Sequence, residues 1–116
     1  DFVFVHVKAS DSLGEDGNFT GKTEFITRLK QAAGEFLNMP SNVLLVLTAD
    51  HSTPCALKTH SADPVPVLFS GYGVIPDDVT MFGERACRKG GYGRIFGLDL
   101  IPEIINILGR AHLYGA

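Results

Sequence analysis

One run of continuous, rather than alternating, apolar residues constrains the fold most. Every residue from Val43 to Leu47 is apolar, which is typical of a strand that is covered on both faces in a parallel sheet between helical layers. We therefore predict a strand over residues 43–48. Residues 2–7 and 65–70 are similar short runs rich in Val, Leu and Phe, and they predict two further strands.

Apolar side chains also recur at helical spacing in two places. The first pattern predicts an amphipathic helix from about Thr20 to Leu37, between the first two strands. A strand, helix and strand connected in this way form a right-handed crossover, so we expect the first two strands to be parallel neighbours or near neighbours. The second pattern predicts a helix from Leu100 to Leu108, with Asp99 as its cap and Gly109 at its end.

The fold class predicted from these elements is α/β, a partial three-layer α/β/α sandwich with a mostly parallel sheet. Three strands and two long helices do not close a doubly covered sheet. The first strand would also have an unpaired or uncovered side. We therefore expect additional strands from elsewhere in a longer natural chain, or from a partner copy.

Composition excludes several classes of protein. The 116 residues contain 10 Lys and Arg against 13 Asp and Glu, a net charge of −3, which does not favour nucleic acid or anionic membranes as partners. The longest apolar run is far shorter than the roughly 20 residues of a membrane span. Cys55 and Cys87 have neither a disulfide-framework nor a zinc-ribbon spacing, and we expect a reducing, cytoplasmic setting.

Acidic and histidine side chains follow two of the predicted strands. Asp50 and His51 come directly after the second strand and His60 lies nine residues beyond His51, while Asp11 and Glu15 follow the first strand. Parallel strands would bring these residues to one edge of the sheet, where open α/β sheets bind their ligands. Carboxylate oxygens and imidazole nitrogens together suit zinc, manganese or a similar divalent ion. The alternative is that these are turn-forming, helix-capping and ordinary polar loop residues.

Other apparent motifs are weaker. Gly21-Lys22-Thr23 lacks the earlier glycine of a phosphate-binding loop and predicts a helix start instead. The glycine-rich stretch before Arg94 does not match a dinucleotide loop, although its backbone and Arg94 could approach a substrate phosphate. Cys55 has no identified base and no Gly-x-Ser-x-Gly elbow is present, so we expect a structural cysteine rather than a hydrolase triad. His6 is expected to be a core residue.

Three runs of residues together resemble a known family. They are residues 50–55 (DHSTPC), 58–66 (KTHSADPVP) and 89–95 (KGGYGRI). The chain resembles the alkaline phosphatase superfamily, and within it the archaeal type of cofactor-independent phosphoglycerate mutase, over essentially its whole length. The resemblance implies that residues 1–116 are the carboxyl-terminal portion of a single metal-binding α/β domain, without the nucleophile segment and the cap domain.

The resemblance also implies two divalent metal ions, typically manganese or zinc, with magnesium or cobalt as alternatives. Asp50 and His51 match the ligands of the ion that activates a serine nucleophile upstream of this chain. Asp11 and His60 match ligands of the second ion, which faces the substrate. The family usually has a histidine four residues after that aspartate. Here the position is Glu15, whose oxygen can ligate the same ions.

The function implied by the resemblance is glycolytic interconversion of 2-phosphoglycerate and 3-phosphoglycerate through a phosphoserine intermediate. These 116 residues alone are then expected to be inactive, and Arg94 is a candidate ligand of the substrate phosphate. Two alternatives stay open. One is a metal-dependent phosphatase, phosphonate hydrolase or homoserine kinase-like enzyme on the same scaffold, and the other is a non-catalytic relative with a decayed metal site. The sequence leaves the oligomeric state open.

Overall fold

The structure is a computed structural model that describes residues 1–112, apart from the side chain of Leu37. The chain forms two compact units. The first consists of Asp1–Asn38 and Asp50–Val65, and the second consists of Met39–Ala49 and the described residues from Pro66 onward. All the acidic and histidine residues predicted to bind metal therefore lie in the first unit.

Two helices form most of the first unit. Helix α1 spans Ala9–Glu15 and helix α2 spans Phe19–Ala33. The turn between them uses Gly17 at a positive φ of 70°, where glycine has no steric penalty. Asn18 caps α2 by accepting a hydrogen bond of 2.9 Å from the backbone N–H of Gly21. The chain continues after α2 as a 3₁₀ helix over Gly34–Asn38, so the predicted helix is present with a tighter last turn.

The predicted strand over residues 2–7 is not formed in the described part of the chain. Phe2, Val3, Phe4 and Val5 are between 68% and 82% exposed, and these residues belong to no ladder. An extended segment becomes a strand only when a neighbour satisfies its backbone groups, and no described segment does so. His6 is likewise exposed rather than a core residue, with its ring centroid 6.4 Å from that of Phe4.

The second unit contains a two-stranded sheet. Strand β1 spans Leu44–Leu47 and strand β2 spans Leu68–Gly71, and they pair antiparallel with Leu44 opposite Gly71. The mostly parallel sheet predicted from the sequence is therefore not found among the described strands. The predicted parallel neighbours were residues 2–7 and 43–48, and their crossover is not formed because residues 2–7 pair with no described strand. Strands β1 and β2 pair antiparallel because residues 48–67 contain no helix long enough for a crossover.

Short helices complete the second unit. Helix α3 spans Glu84–Cys87, a 3₁₀ helix spans Gly97–Asp99 and helix α4 spans Leu100–Ile107. The prediction of α4 is confirmed, and Gly109 follows it with a φ of 65°. Asp99 does not cap α4 with its side chain. Its Oδ2 instead accepts a hydrogen bond of 2.9 Å from the N–H of Phe96, which fixes the preceding 3₁₀ turn.

Burial is unusually limited for a chain that is 45% apolar. Within the described residues no apolar side chain is buried, and only Gly14 and Thr53 are enclosed. Burial of apolar surface is the main driving force for folding, yet many large apolar side chains of both units are exposed. None of the described helices has the length and apolarity needed to cross a membrane.

Candidate metal centre

Three predicted metal ligands converge in the first unit. Asp11, His51 and His60 each offer a ligand atom, and these atoms all lie within 4.8 Å of one another. The Nε2 atom of His60 is 3.5 Å from the Oδ1 atom of Asp11, and the Nδ1 atom of His51 is 4.0 Å from the same oxygen. Residues that are far apart in the sequence thus form one cluster, which we call the Asp11 cluster.

Local backbone structure explains how the two histidines meet. Ser52 and Ser61 form an isolated antiparallel bridge, in which the N–H of Ser61 donates to the carbonyl of Ser52 at 2.9 Å. Each histidine directly precedes one of these serines. The imidazole rings of His51 and His60 stack, with centroids 3.8 Å apart and an angle of 27° between their planes. The backbone bridge between the two serines therefore brings the two histidines side by side.

The Asp11 carboxylate is held in its ionised form. The hydrogen bond from the hydroxyl of Thr53 is the main cause that lowers the pKa of Asp11 below its ordinary value. Burial opposes it as the second-largest effect, and His51, His60 and Lys8 each lower the pKa by a smaller amount. The side chain is only 19% exposed. An ionised oxygen beside two imidazoles is a donor set that zinc and manganese accept.

Thr53 is a residue of the site that the sequence pattern did not indicate. Its hydroxyl donates a hydrogen bond of 2.7 Å to the Oδ1 atom of Asp11 and also lies 3.2 Å from the Nδ1 atom of His51. It is 5% exposed, the only buried polar side chain in the described residues. Its position two residues after His51, in the same loop as the candidate ligands, was the available signal.

Lys22 on α2 and Gly14 on α1 hold the loop that contains Thr53 against the two helices. The ammonium of Lys22 donates a hydrogen bond of 2.7 Å to the backbone carbonyl of Thr53. On α1, a Cβ atom at Gly14 would lie only 2.4 Å from the same carbonyl oxygen. The close approach of α1 to the loop therefore requires glycine at this position.

Glu15 and Asp50 flank the cluster. Glu15 lies one helical turn after Asp11, and its Oε1 atom is 3.7 Å from the Nε2 atom of His60. Asp50 is 72% exposed, and its Oδ2 atom is 3.5 Å from the Nε2 atom of His51. All five predicted metal ligands of the first unit are thus near one another, with Asp11, His51 and His60 closest.

The remaining candidates do not join this cluster. Arg94 is exposed in the second unit, directly after Gly93 with its φ of 62°, and its role as a phosphate ligand stays a prediction. Cys55 is half-buried, with its Sγ atom 3.9 Å from the carbonyl of Leu13, which agrees with a structural cysteine.

Acidic and imidazole groups thus converge within an α/β chain. A sequence profile of the metalloenzyme superfamily matches residues 1–105. The chain therefore belongs to the metalloenzyme superfamily.

Within this superfamily, the chain is similar to several archaeal proteins. The chain is 44% identical over its whole length to a 2,3-bisphosphoglycerate-independent phosphoglycerate mutase of Thermococcus gammatolerans, and it spans 29% of the length of that relative. It is 44% identical to the protein of the same name from Methanoculleus marisnigri. The solved structure of the PH0037 protein of Pyrococcus horikoshii superposes with a TM-score of 0.94 at 43% identity, covering 100% of this chain and 31% of that one. The resemblance inferred from the three sequence runs is confirmed.

Proposed function

We propose that the natural polypeptide carrying this chain interconverts 2-phosphoglycerate and 3-phosphoglycerate by phosphoryl transfer to and from a serine outside these residues. The observation that carries the proposal is the convergence of Asp11, His51 and His60 within 4.8 Å. Relatives more than 40% identical over the whole chain carry the mutase name. Since the chain spans only 29% of their length, it supplies part of the site.

The donor distances fit two neighbouring ions. Ligand atoms bound to one tetrahedral ion at about 2.1 Å are about 3.4 Å apart. The Oδ2 atom of Asp50 and the Nε2 atom of His51 are 3.5 Å apart, and we assign this pair to a first ion. The Nε2 atom of His60 lies 3.5 Å from Asp11 and 3.7 Å from Glu15, and we assign these three residues to a second ion.

The chemistry of the site follows from this donor set. When bound, divalent ions lower the pKa of a serine nucleophile and neutralise charge on the transferring phosphoryl group. Asp11 and Glu15 contribute two carboxylates to the second position, which favours a hard, oxygen-preferring ion such as manganese over zinc. Arg94 is proposed to bind the substrate phosphate through its guanidinium group. A cytoplasmic location is proposed as well.

The architecture proposed for the complete domain is the three-layer sandwich with a mostly parallel sheet. The exposed apolar residues 2–5 and the lack of a buried apolar side chain in the described residues support it, because such surfaces need cover. Further strands from the rest of the natural polypeptide would supply that cover. In that arrangement, residues 1–116 are a portion of a single metal-binding domain.

The test uses the natural polypeptide and two ligand variants. Asp11→Asn and His60→Gln should each lose bound divalent ion by elemental analysis and lose mutase activity, because each removes a donor of the second position. His112→Gln changes an exposed histidine outside the cluster and serves as the matched control. Wild-type protein that binds less than one divalent ion, or variants that keep full activity, would contradict the proposal. Phosphate release without isomerisation would assign a phosphatase instead.

A further inference from the structure

We propose that Thr53 is a positioning residue that fixes the tautomer of His51, with the proton on Nδ1 and the lone pair on Nε2. A metal-binding imidazole needs a lone pair on the ligating nitrogen, and its other nitrogen usually donates a hydrogen bond. The proposal deepens the function proposed above and rests on it only for the use of Nε2 as a ligand. The tautomer itself follows from hydrogen bonds of the chain.

The argument starts from the single proton of the threonine hydroxyl. An ionised carboxylate can only accept hydrogen bonds, so at 2.7 Å from Asp11 the hydroxyl must donate its proton there. The same oxygen lies 3.2 Å from the Nδ1 atom of His51. With its proton already used, the oxygen can only accept from that nitrogen, and Nδ1 must carry a proton.

The competing arrangement is weaker on the observed distances. If the hydroxyl donated to Nδ1, the proton of His51 would lie on Nε2 and point to Asp50, 3.5 Å away. That contact is at the limit of a hydrogen bond, and Asp50 is 72% exposed so that water competes for its oxygens. Asp11 would meanwhile lose a short hydrogen bond to a charged acceptor, which is about twice as strong as a neutral one.

Contacts to the backbone of Thr53 fix the position of its hydroxyl. Thr53 is 5% exposed, its carbonyl accepts the hydrogen bond from Lys22, and α1 packs against it at Gly14. A buried threonine also has few accessible χ1 rotamers. One hydroxyl therefore orients both Asp11 and His51, which belong to the two proposed ion positions.

The test is a measurement of the His51 tautomer in the metal-free natural polypeptide. Imidazole ¹⁵N shifts and long-range ¹H–¹⁵N correlations distinguish the two nitrogens, at a pH about two units above the ordinary histidine value so that the ring is neutral. His51→Gln assigns the signals. We expect a protonated Nδ1 and an unprotonated Nε2 in the wild type. A proton on Nε2 in the wild type would overturn the proposal.

Two variants separate the hydroxyl from the shape of the side chain. Thr53→Ser keeps the hydroxyl and should keep the wild-type tautomer. Thr53→Val keeps the shape, and we expect a mixture of tautomers and a loss of divalent-ion affinity of about 10- to 100-fold. A Thr53→Val protein with the wild-type tautomer would contradict the proposal. If Thr53→Val does not fold, a wild-type or Thr53→Ser spectrum with the proton on Nε2 would still overturn the proposal.

The readouts also separate this inference from the proposed function. A wild-type protein with the expected tautomer that binds neither manganese nor zinc would overturn the proposed function alone. A protein that binds the ions and isomerises phosphoglycerate, but carries its His51 proton on Nε2 without metal, would overturn the role of Thr53 alone.

Discussion

Replacing Gly14 with alanine has two opposite effects on stability: a gain in helix propensity and a steric clash. Gly14 lies inside α1, where alanine is favoured over glycine by about 1 kcal/mol on helix propensity alone. The new Cβ atom would, however, lie 2.4 Å from the carbonyl oxygen of Thr53 and 2.9 Å from the Nζ atom of Lys22. Ordinary van der Waals contact begins at 3.4 Å, so α1 and the loop must separate by about 1 Å.

The cost of that separation should exceed the gain in helix propensity. Overpacking of a close contact costs about 1 to 3 kcal/mol, and the atom approached is backbone, which cannot rotate away. A shift of this size also stretches the 2.7 Å hydrogen bond between Thr53 and Asp11 beyond hydrogen-bond distance. We expect Gly14→Ala to lower the free energy of unfolding by about 1 kcal/mol in net terms, and to weaken divalent-ion binding.

Thermal or denaturant unfolding and metal titration of the natural polypeptide measure both effects. Gly34→Ala is the matched control, because Gly34 follows α2 in helical conformation and a Cβ atom added there would have no neighbour within 4 Å. The control should be neutral or slightly stabilised, with unchanged metal binding. The reasoning is refuted if Gly14→Ala is as stable as Gly34→Ala and binds the ions equally well.

Three further predictions concern other contacts. Glu15→His should raise the affinity for zinc relative to manganese, on the order of tenfold, because imidazole replaces a hard oxygen donor. Competition titrations measure this affinity ratio, with Glu15→Gln as the control. An unchanged ratio would contradict the role of Glu15 as a ligand. Lys22→Met should cost about 1 to 3 kcal/mol of stability by removing the donor to the Thr53 carbonyl, whereas Lys30→Met, an exposed change on the same helix, should cost almost nothing. The N–H groups of Gly91 and Val79 hold the pKa of Asp77 below its ordinary value, so its stabilising effect is present above the unfolded pKa and is lost as the pH falls through the lower folded pKa. Asp77→Asn should therefore flatten the loss of thermal stability as the pH falls below the ordinary aspartate pKa of about 3.9, and an unchanged acid profile would be the contrary result.

The two long helices were predictable because their signals are local. The periodic apolar residues of α2 and α4 and the glycine after α4 mark the helices directly in the sequence. Helix α1 was not predicted, since its seven residues include Gly14 and carry no apolar period. The antiparallel pairing of β1 and β2 was also missed, because an apolar run shows that a strand is covered and does not show which strand pairs with it.

In the candidate site too, the features set by local sequence were predictable and those set by long-range contacts were not. The residue types and spacing of Asp50, His51 and His60 made them candidate metal ligands from the sequence alone. Their meeting with Asp11 was expected from the carboxyl ends of parallel strands, yet the fold brings them together through helix α1 and the bridge between Ser52 and Ser61. Thr53 could not be assigned, because a threonine shows its role only through the partners of its hydroxyl.

The hydrogen bond between Asp11 and Thr53 joins positions 42 residues apart, and an ion held by Asp11 and His60 would tie the same two stretches of polypeptide. Closing a loop of this length by a cross-link restricts the denatured ensemble by about 4 kcal/mol on the chain-entropy relation. Such an ion would act as a reversible cross-link between the two stretches. Its removal by a chelator should lower the stability of the first unit, as reduction of a disulfide lowers the stability of a secreted domain.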